Sequence, residues 1–247
     1  MKRHLIAILF SVFPVLALAG GGEGGPMFEA DIDVSDKLSL QRGARLFVNY
    51  CLSCHSARFQ RYNRMGRDLG LTDSQVIHNL MFAGDKIYEH MTVAMPEDEA
   101  KEWFGAPPPD LTLIARRRGV DWLYTYLLTF YEDDKRPFGV NNWRFPNVGM
   151  PHVLWELQGI QKPVYRTEKD AEGNEHQVIE RLELVQPGKM TPAEYQAAMR
   201  DLVAFLSYMG EPVQLERKQI GIWVLLYLVV FTILAYLLKK EYWKDVH

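Results

Sequence analysis

Two cysteines and a histidine are the residues with the clearest chemistry in this 247-residue sequence. Cys51 and Cys54 stand three positions apart, and His55 follows directly. The pattern Cys-x-x-Cys-His is typical of c-type haem attachment, in which two thiols bind one porphyrin and the imidazole becomes an axial ligand of the iron. No other cysteine occurs in the chain. We therefore predict one covalently bound haem c, attached at Cys51 and Cys54, with His55 as its proximal ligand.

Two other kinds of site use paired cysteines. A zinc site would need further Cys or His residues at short spacing, and none follows His55. A thioredoxin-like redox pair would need a preceding strand and no particular residue after the second cysteine. The sequence before Cys51 instead has apolar residues at helical spacing, so haem attachment is favoured.

The second axial ligand is not determined by the haem motif. The candidates are Met95, Met150, His78, His90, His152 and His176. A thioether paired with an imidazole raises the reduction potential and favours electron transfer over oxygen chemistry. Met150 is favoured because it ends a loop restricted by proline and glycine, Phe145-Pro146-Asn147-Val148-Gly149-Met150. His152 is its main rival.

The two ends of the chain indicate export and membrane anchoring. Residues 1–19 contain a basic start, an apolar stretch and Ala17-Leu18-Ala19, which together predict a cleaved signal peptide. A glycine-rich segment follows, and residues 20–36 are expected to be flexible. Residues 220–238 are nineteen consecutive uncharged residues, about 28 Å of helix and enough to cross a hydrocarbon core. We expect this transmembrane anchor to leave residues 239–247 as a cytoplasmic tail, with the haem domain outside the membrane.

The charge of the exported part is acidic. The formal net charge of the whole chain is -3, and the signal peptide and the tail both carry positive surpluses. Residues 20–238 are therefore more acidic than the whole chain, which argues against binding to nucleic acid and favours a basic protein partner. Two acidic clusters stand out, Glu97-Asp98-Glu99 and Glu132-Asp133-Asp134.

The segment between the ends, residues 37–212, is long enough for one domain. We expect a mainly helical domain whose first helix is capped by Ser39, with a β-hairpin insertion at about 164–186. Further helices are predicted at 58–67, 73–81, 111–118 and 121–131. A short helix is predicted to begin at Pro96, and a longer one at Thr191. Thr191-Pro192-Ala193-Glu194 combines an N-cap residue, a first-turn proline and a capping-box glutamate.

Several segments in the same order along the chain resemble the cytochrome c1 family. They are Arg42-Gly43, residues 51–56, Arg61-Tyr62-Asn63, Pro108-Pro109-Asp110-Leu111-Thr112, Leu127-Leu128-Thr129 with Tyr131, Phe145-Pro146 with Gly149-Met150-Pro151, residues 201–206, Glu211-Pro212, and Lys239, Lys240, Tyr242 and Trp243. The family is the membrane-anchored haem c subunit of ubiquinol–cytochrome c reductase, the cytochrome bc1 complex. The resemblance implies an all-α fold: a class I cytochrome c-like haem domain with loop and hairpin insertions, and one C-terminal transmembrane helix.

The resemblance also implies residue roles. Cys51 and Cys54 would carry the haem, His55 and Met150 would be its axial ligands, and Arg118 would contact a propionate. Arg116 or Arg117 would take that role if the register slips by one or two positions. Phe104 stands where relatives often have a polar propionate partner, and the chain lacks the cysteines for the extra disulfide of some relatives.

The partners implied are cytochrome b, the Rieske iron–sulfur protein and a cytochrome c acceptor, at the periplasmic face of a bacterial cytoplasmic membrane. The polypeptide would catalyse no bond chemistry on its own and would act as an electron-transfer subunit. The nearest alternative is a free-standing anchored cytochrome c that donates to a terminal oxidase. A more distant one is a five-coordinate haem peroxidase or gas sensor.

Overall fold

Helices and three antiparallel strand pairs make up the computed structural model, which describes residues 25–93, 95–169 and 173–245. The helices are α1 (Lys37–Leu46), α2 (Tyr62–Leu69), α3 (Asp73–Asn79), α4 (Glu97–Phe104), α5 (Ile114–Arg118), α6 (Val120–Leu128), α7 (Trp155–Gln158), α8 (Pro192–Gly210) and α9 (Gln214–Tyr242). The strands are β1 (Ala57–Arg61), β2 (His90–Met91), β3 (Phe130–Glu132), β4 (Val140–Asn142), β5 (Gly159–Lys169) and β6 (Glu175–Pro187). They pair as β1–β2, β3–β4 and β5–β6.

The centre of the domain is the packing of α1 against α8. Gly43 lies where the two helices cross, and a Cβ atom there would stand 2.1 Å from the backbone oxygen of Asp201. Only glycine therefore permits this approach. The Asp201 carboxylate also accepts hydrogen bonds from Ser39 and from the Arg42 guanidinium, both at 2.6 Å. A buried apolar face of α8, including Phe205 and Leu202, completes the contact.

The fold is less purely helical than the predicted all-α class. About 48% of the described residues are helical, and the β5–β6 hairpin runs from Gly159 to Pro187, longer than the predicted 164–186. Residues 170–172, between the two strands, lie outside the described residues. The hairpin is long because cross-strand pairing continues through Lys162 and Pro163 down to Gly159, whose φ of +91° only glycine adopts readily.

Three local expectations were wrong. The segment 58–67 begins as strand β1, because it pairs with β2, and becomes helical only at Tyr62. Helix α6 ends at Leu128, and the following residues form β3. Asp36, rather than Ser39, caps α1 by accepting hydrogen bonds from the backbone N–H groups of Leu38 and Ser39. The capping box at Thr191 and Glu194 is confirmed at the start of α8.

The region before α1 lies within the segment that we expected to be flexible. Its described part runs along α6: the Phe28 N–H donates to the Thr125 hydroxyl and the Ala30 N–H to the Asp121 carboxylate, both at 2.8 Å. Ala30 is fully buried. The predicted signal peptide, residues 1–19, lies outside the described residues.

Helix α9 is long and apolar enough to cross a membrane. It has 29 residues, a mean hydropathy of 2.5 in its most apolar window, and no residue of that window packs inside the protein. The span of 220–238 predicted as the anchor lies within it. A helix that is apolar on every side and uncovered by protein is typical of a membrane span rather than of a core helix.

Candidate functional site: the haem motif and its axial ligands

The cysteine motif lies at the end of α1, where the helix widens into a π-helical turn at Phe47–Cys51. Such turns occur frequently at functional sites. The motif itself, residues 51–55, forms a hydrogen-bonded turn: the N–H groups of Cys54 and His55 both donate to the Cys51 carbonyl, at 3.0 and 2.8 Å. Cys51 is buried and Cys54 is partly exposed. Burial raises the pKa of the Cys51 thiol to about 12, so the free thiol is protonated at neutral pH.

His55 is oriented by a backbone carbonyl. Its Nδ1–H donates to the Pro109 oxygen at 2.8 Å, which fixes the ring and leaves Nε2 as the nitrogen available to a metal. Burial lowers the pKa of His55, with a smaller opposing effect from the Pro109 bond. The imidazole is therefore neutral at physiological pH, the state in which it binds iron.

Asp110 holds the Pro109 carbonyl in place. Its carboxylate accepts the Arg58 and Thr112 N–H groups, at 2.8 and 2.9 Å, and forms an ion pair with the Arg58 guanidinium at 3.3 Å. Burial alone would raise the pKa of Asp110, but these hydrogen bonds outweigh it and the pKa lies below its usual value. The Leu111 N–H also donates to the Ser56 carbonyl at 2.8 Å. The proline-rich segment is thus bound to the strand that follows His55.

Met150 accepts a hydrogen bond from a tyrosine hydroxyl. The Tyr126 hydroxyl of α6 donates to the Met150 sulfur, with an O···S distance of 3.3 Å. Burial raises the pKa of Tyr126, so the phenol keeps its proton. Met150 itself is partly buried. The sulfur is therefore held at one defined place relative to α6.

The loop before Met150 is held by asparagine side chains. The Asn142 amide oxygen accepts the N–H groups of Arg144 and Phe145, both at 2.9 Å, and its nitrogen donates to the Tyr126 carbonyl at 2.7 Å. The Asn141 amide oxygen accepts the Asn147 N–H at 2.8 Å. Asn147 adopts a left-handed φ of 63°. These contacts bring the methionine loop back to the helix that carries Tyr126.

Helix α8 connects the cysteine turn to the methionine side of the site. The Tyr195 hydroxyl donates to the carbonyl of Leu127, the residue after Tyr126, at 3.0 Å. Burial, and to a smaller extent the nearby Cys51 thiol, raises the pKa of Tyr195. Tyr195, which is buried, thus lies between Cys51 and α6, the helix whose Tyr126 binds Met150.

Arg118 packs against the cluster of aromatic rings that also contacts Met150. Its guanidinium lies over the rings of Trp122, at 4.7 Å, and Phe145, at 5.5 Å. Trp122 in turn stacks on Tyr126, with ring centroids 5.1 Å apart. Arg116 instead forms an ion pair with Glu211 at 2.7 Å. Arg118 thus packs on the rings next to Tyr126, whereas Arg116 is bound to Glu211.

The rival axial ligands have other surroundings. His152 is 9% exposed and stacks on Phe130, with centroids 4.7 Å apart, and burial lowers its pKa to about 4. His78 and His90 bond through Nδ1 to backbone carbonyls of Ser74 and Arg58. His176 lies on the exposed hairpin. None of these contacts places an imidazole next to Tyr126 as Met150 is placed.

The residues present fit a haem c. Two thiols share one turn, an imidazole has its Nε2 available, a thioether is held by a phenol, and a guanidinium is supported by aromatic rings. In the ranges 25–93, 95–169 and 173–245, no group of three or more His, Cys, Asp and Glu side chains could hold a metal ion on its own. Sequence reasoning missed Asp110, Tyr126 and Asn142 as parts of the candidate site, because each depends on at least one partner from another segment: Arg58, Met150 and Tyr126 respectively.

The haem motif together with one apolar, exposed helix in the described part of the chain is typical of the membrane-anchored c-type cytochromes. Residues 81–246 match the model of the Cytochrome C1 family. This chain belongs to the cytochrome c1 family, whose members carry covalently bound haem c and transfer electrons. The matched range includes Met150 and Arg118, and the Cys-x-x-Cys-His motif lies before it.

Relatives match over the full length. The chain is 50% identical to cytochrome c1 of Allochromatium vinosum over 247 residues, covering 100% of both chains. It is 46% identical to the ammonia monooxygenase gamma subunit of Nitrosomonas europaea, covering 100% of this chain and 99% of that one. It is 28% identical to cytochrome c1 of Blastochloris viridis, covering 100% and 98%. The predictions of the family and of covalent haem c are thereby confirmed.

Proposed function

We propose that this chain is the haem c subunit of a ubiquinol–cytochrome c reductase, which takes electrons from a Rieske iron–sulfur protein and passes them to a cytochrome c. Cytochrome b would be its other partner. Membership of the cytochrome c1 family and the exposed C-terminal helix support the proposal. The observation that carries it is the pair of contacts that orient His55 and Met150, through Pro109 and Tyr126.

The residues of the site have separate tasks in electron transfer. The thiols of Cys51 and Cys54 would each add S–H across one vinyl group, which gives two thioether bonds. The Pro109 carbonyl binds Nδ1 of His55, so Nε2 would be the nitrogen that holds the haem iron, and the Tyr126 hydroxyl would position the Met150 sulfur as the second ligand. When bound, haem c supplies a one-electron couple. Because both proposed ligands are held by other residues, they would move little when the haem gains or loses an electron.

The topology follows from the two ends of the chain. Cleavage after residue 19 would leave the haem domain, residues 37–212, in the bacterial periplasm. Residues 220–238 would cross the cytoplasmic membrane once, and residues 239–247 would stay in the cytoplasm. Interfacial aromatics near both ends of α9, Trp223 and Tyr242 among them, support this placement.

The acceptor would bind at an acidic face with an aromatic centre. Phe104 of α4 packs on Phe138 of the β3–β4 turn, with centroids 6.0 Å apart. This contact joins the last residue of α4 to the turn between β3 and β4; the first turn of α4 holds one acidic cluster, Glu97-Asp98-Glu99 (the α4 acidic cluster), and the other cluster, Glu132-Asp133-Asp134, spans the end of β3 and the start of the turn. Trp103 and Phe138 are 55% and 40% exposed. An apolar centre with a charged rim is the usual anatomy of a transient docking site, and the charge would attract a basic cytochrome c.

Replacement of the proposed sixth ligand tests the site. Met150→Ala should keep covalent haem, abolish the methionine-to-iron charge-transfer absorption band and lower the reduction potential, because thioether ligation raises it. Met95→Ala is the matched control and should leave both unchanged. If the band survives in Met150→Ala and disappears in Met95→Ala, the assignment is wrong.

Purification in a mild detergent tests the electron route. Subunits with the sequences of cytochrome b and a Rieske protein should copurify with this chain, and quinol should reduce its haem. Two other outcomes are possible. The relative named as an ammonia monooxygenase gamma subunit suggests assembly with monooxygenase subunits, and a free-standing anchored cytochrome would have no partner subunits. Copurification with monooxygenase subunits, or isolation of the chain alone, would refute the bc1 assignment.

A further inference from the structure

Glu211 lies between two arginines at the point where the haem domain meets the anchor. Its carboxylate accepts a hydrogen bond from Arg116 of α5 at 2.7 Å. The Arg217 guanidinium of α9 binds the same carboxylate with two nitrogens, Nε to one oxygen and Nη2 to the other, the latter at 3.2 Å. One carboxylate thus joins a helix of the domain to the first turns of the membrane helix.

The connection between the two helices is short and tightly packed. Helix α8 ends at Gly210 and α9 begins at Gln214. The Gln214 side chain donates back to the Ser207 carbonyl at 3.3 Å. At Gly210, a Cβ atom would stand 3.3 Å from the Arg116 side chain, a tight contact that glycine avoids. Only residues 211–213 separate the two helices, and Glu211 is the first of them.

Arg116 lies on the same segment that orients the proximal ligand. That segment runs from Pro109, whose carbonyl binds His55, through Asp110 and Thr112 to α5. Its Leu111 N–H is bound to the Ser56 carbonyl, directly after His55. A continuous series of contacts thus connects the His55 ring to the anchor, by way of Arg116, Glu211 and Arg217.

The carboxylate of Glu211 is more buried than the two arginines of this triad, Arg116 and Arg217. The Glu211 side chain is 20% exposed, whereas those of Arg116 and Arg217 are 58% and 62% exposed. Hydrogen bonds from Arg217 hold the pKa of Glu211 below its usual value, so it is ionised at neutral pH. Exposed ion pairs contribute little to the stability of a fold. A bidentate arginine–carboxylate contact does, however, specify geometry.

We propose that Glu211, Arg116 and Arg217 form an orientation clamp that sets the angle between the haem plane and the membrane. The inference rests on the covalent haem of the proposed function and names positioning residues for it. The electron donor and the electron acceptor each approach the haem from one side. A fixed angle between the haem plane and the membrane would therefore define which haem edge each of them meets. The clamp acts on this geometry and leaves the axial ligands unchanged.

Electron paramagnetic resonance of the oxidised haem in oriented membrane multilayers measures the angle directly. In the full-length protein, the amplitude of the haem signal should vary sharply with the angle between the membrane and the field. Arg217→Ala, which changes only the anchor side of the clamp, should lose most of this angular dependence. Glu211→Gln should do the same, because it keeps the shape and removes the charge.

Controls separate orientation from folding. Lys218→Ala removes a neighbouring cation of α9 outside the triad and should keep the wild-type angular dependence. Haem content and reduction potential should be unchanged in all three variants. Wild-type angular dependence in both Arg217→Ala and Glu211→Gln would overturn the proposal, as would a shifted potential or lost haem in Arg217→Ala. Since the measurement needs no partner, failure of the proposed electron route would leave it valid.

Discussion

Tyr126→Phe removes one oxygen atom from the site and leaves the ring in place. The Tyr126 ring stacks on Trp122 and meets Phe130 edge to face, with centroids 5.1 Å away in both cases. Phenylalanine can keep both contacts. What the variant loses is the hydroxyl that donates to the Met150 sulfur at 3.3 Å. Because a thioether is only a weak acceptor, no strongly polar atom is left unsatisfied.

The sign of the effect follows from the sulfur lone pairs. A proton donor at the sulfur withdraws electron density that would otherwise stabilise ferric iron, so the hydrogen bond raises the reduction potential. A typical hydrogen bond contributes a net ~1 kcal/mol. For a one-electron couple a tenfold change in equilibrium constant is about 59 mV. If the whole contribution were specific to one oxidation state, the potential would fall by about 40 mV, and we expect a decrease of roughly 20–40 mV.

Potentiometric titration of the haem absorption in membranes measures this shift. Tyr124→Phe is the matched control: it removes a hydroxyl from the same helix, where the partner is Arg200 at 3.0 Å rather than Met150. The control should leave the potential unchanged, and both variants should keep the methionine charge-transfer band. An unchanged or higher potential in Tyr126→Phe would show that the hydroxyl does not act on the ligand sulfur.

Four further predictions concern the haem, the anchor, the proximal segment and the acceptor. Cys51→Ser should retain a single thioether and accumulate poorly, because the core forms around the porphyrin; haem-stained gels would show it, and full accumulation of a folded haem-free chain would contradict it. Deletion from Ile220 onward should release a soluble haem protein into the periplasm, and fractionation with the membrane in the absence of partners would contradict a purely C-terminal anchor. Asp110→Asn should lower the free energy of unfolding by about 1–3 kcal/mol at neutral pH, since it weakens charge-assisted hydrogen bonds. Because the pKa of Asp110 is depressed in the folded protein, this contribution is present above the unfolded pKa of about 4 and is lost as the pH falls; urea unfolding of the two proteins should therefore converge in acid. Neutralising the α4 acidic cluster should slow oxidation by a basic cytochrome c in stopped-flow at low salt and matter little at high salt, where charges are screened within roughly 8 Å; a rate without salt dependence would indicate apolar docking.

Features encoded within one turn or one continuous run could be predicted from the sequence. The haem motif is such a case, since both thiols and the imidazole fall within five residues and their spacing already matches the porphyrin. The capping box at Thr191 and Glu194 is another, because the N-cap and the third helical residue are neighbours in any helix. The apolar run of α9 needs only its length and composition.

Contacts between distant segments could not be predicted in this way. The segment 58–67 has helical spacing of arginines, yet it starts as a strand because β2, about thirty residues later, pairs with it. Ser39 has the right chemistry for a cap, but its hydroxyl binds Asp201 on α8, 162 residues away, and Asp36 caps the helix instead. In both cases tertiary partners outweigh a local preference.

The sequence by itself determined the two thiols and the imidazole of a haem motif and an apolar run long enough to cross a membrane, because these depend on residue type and short spacing. Only the tertiary structure decided how the proposed ligands His55 and Met150 are held. Met150 and Tyr126 are 24 residues apart and His55 and Pro109 are 54 apart. No local pattern relates such pairs. They meet because Asn142 ties the loop before Met150 to α6, and Asp110 ties the Pro109 segment to the strand after His55.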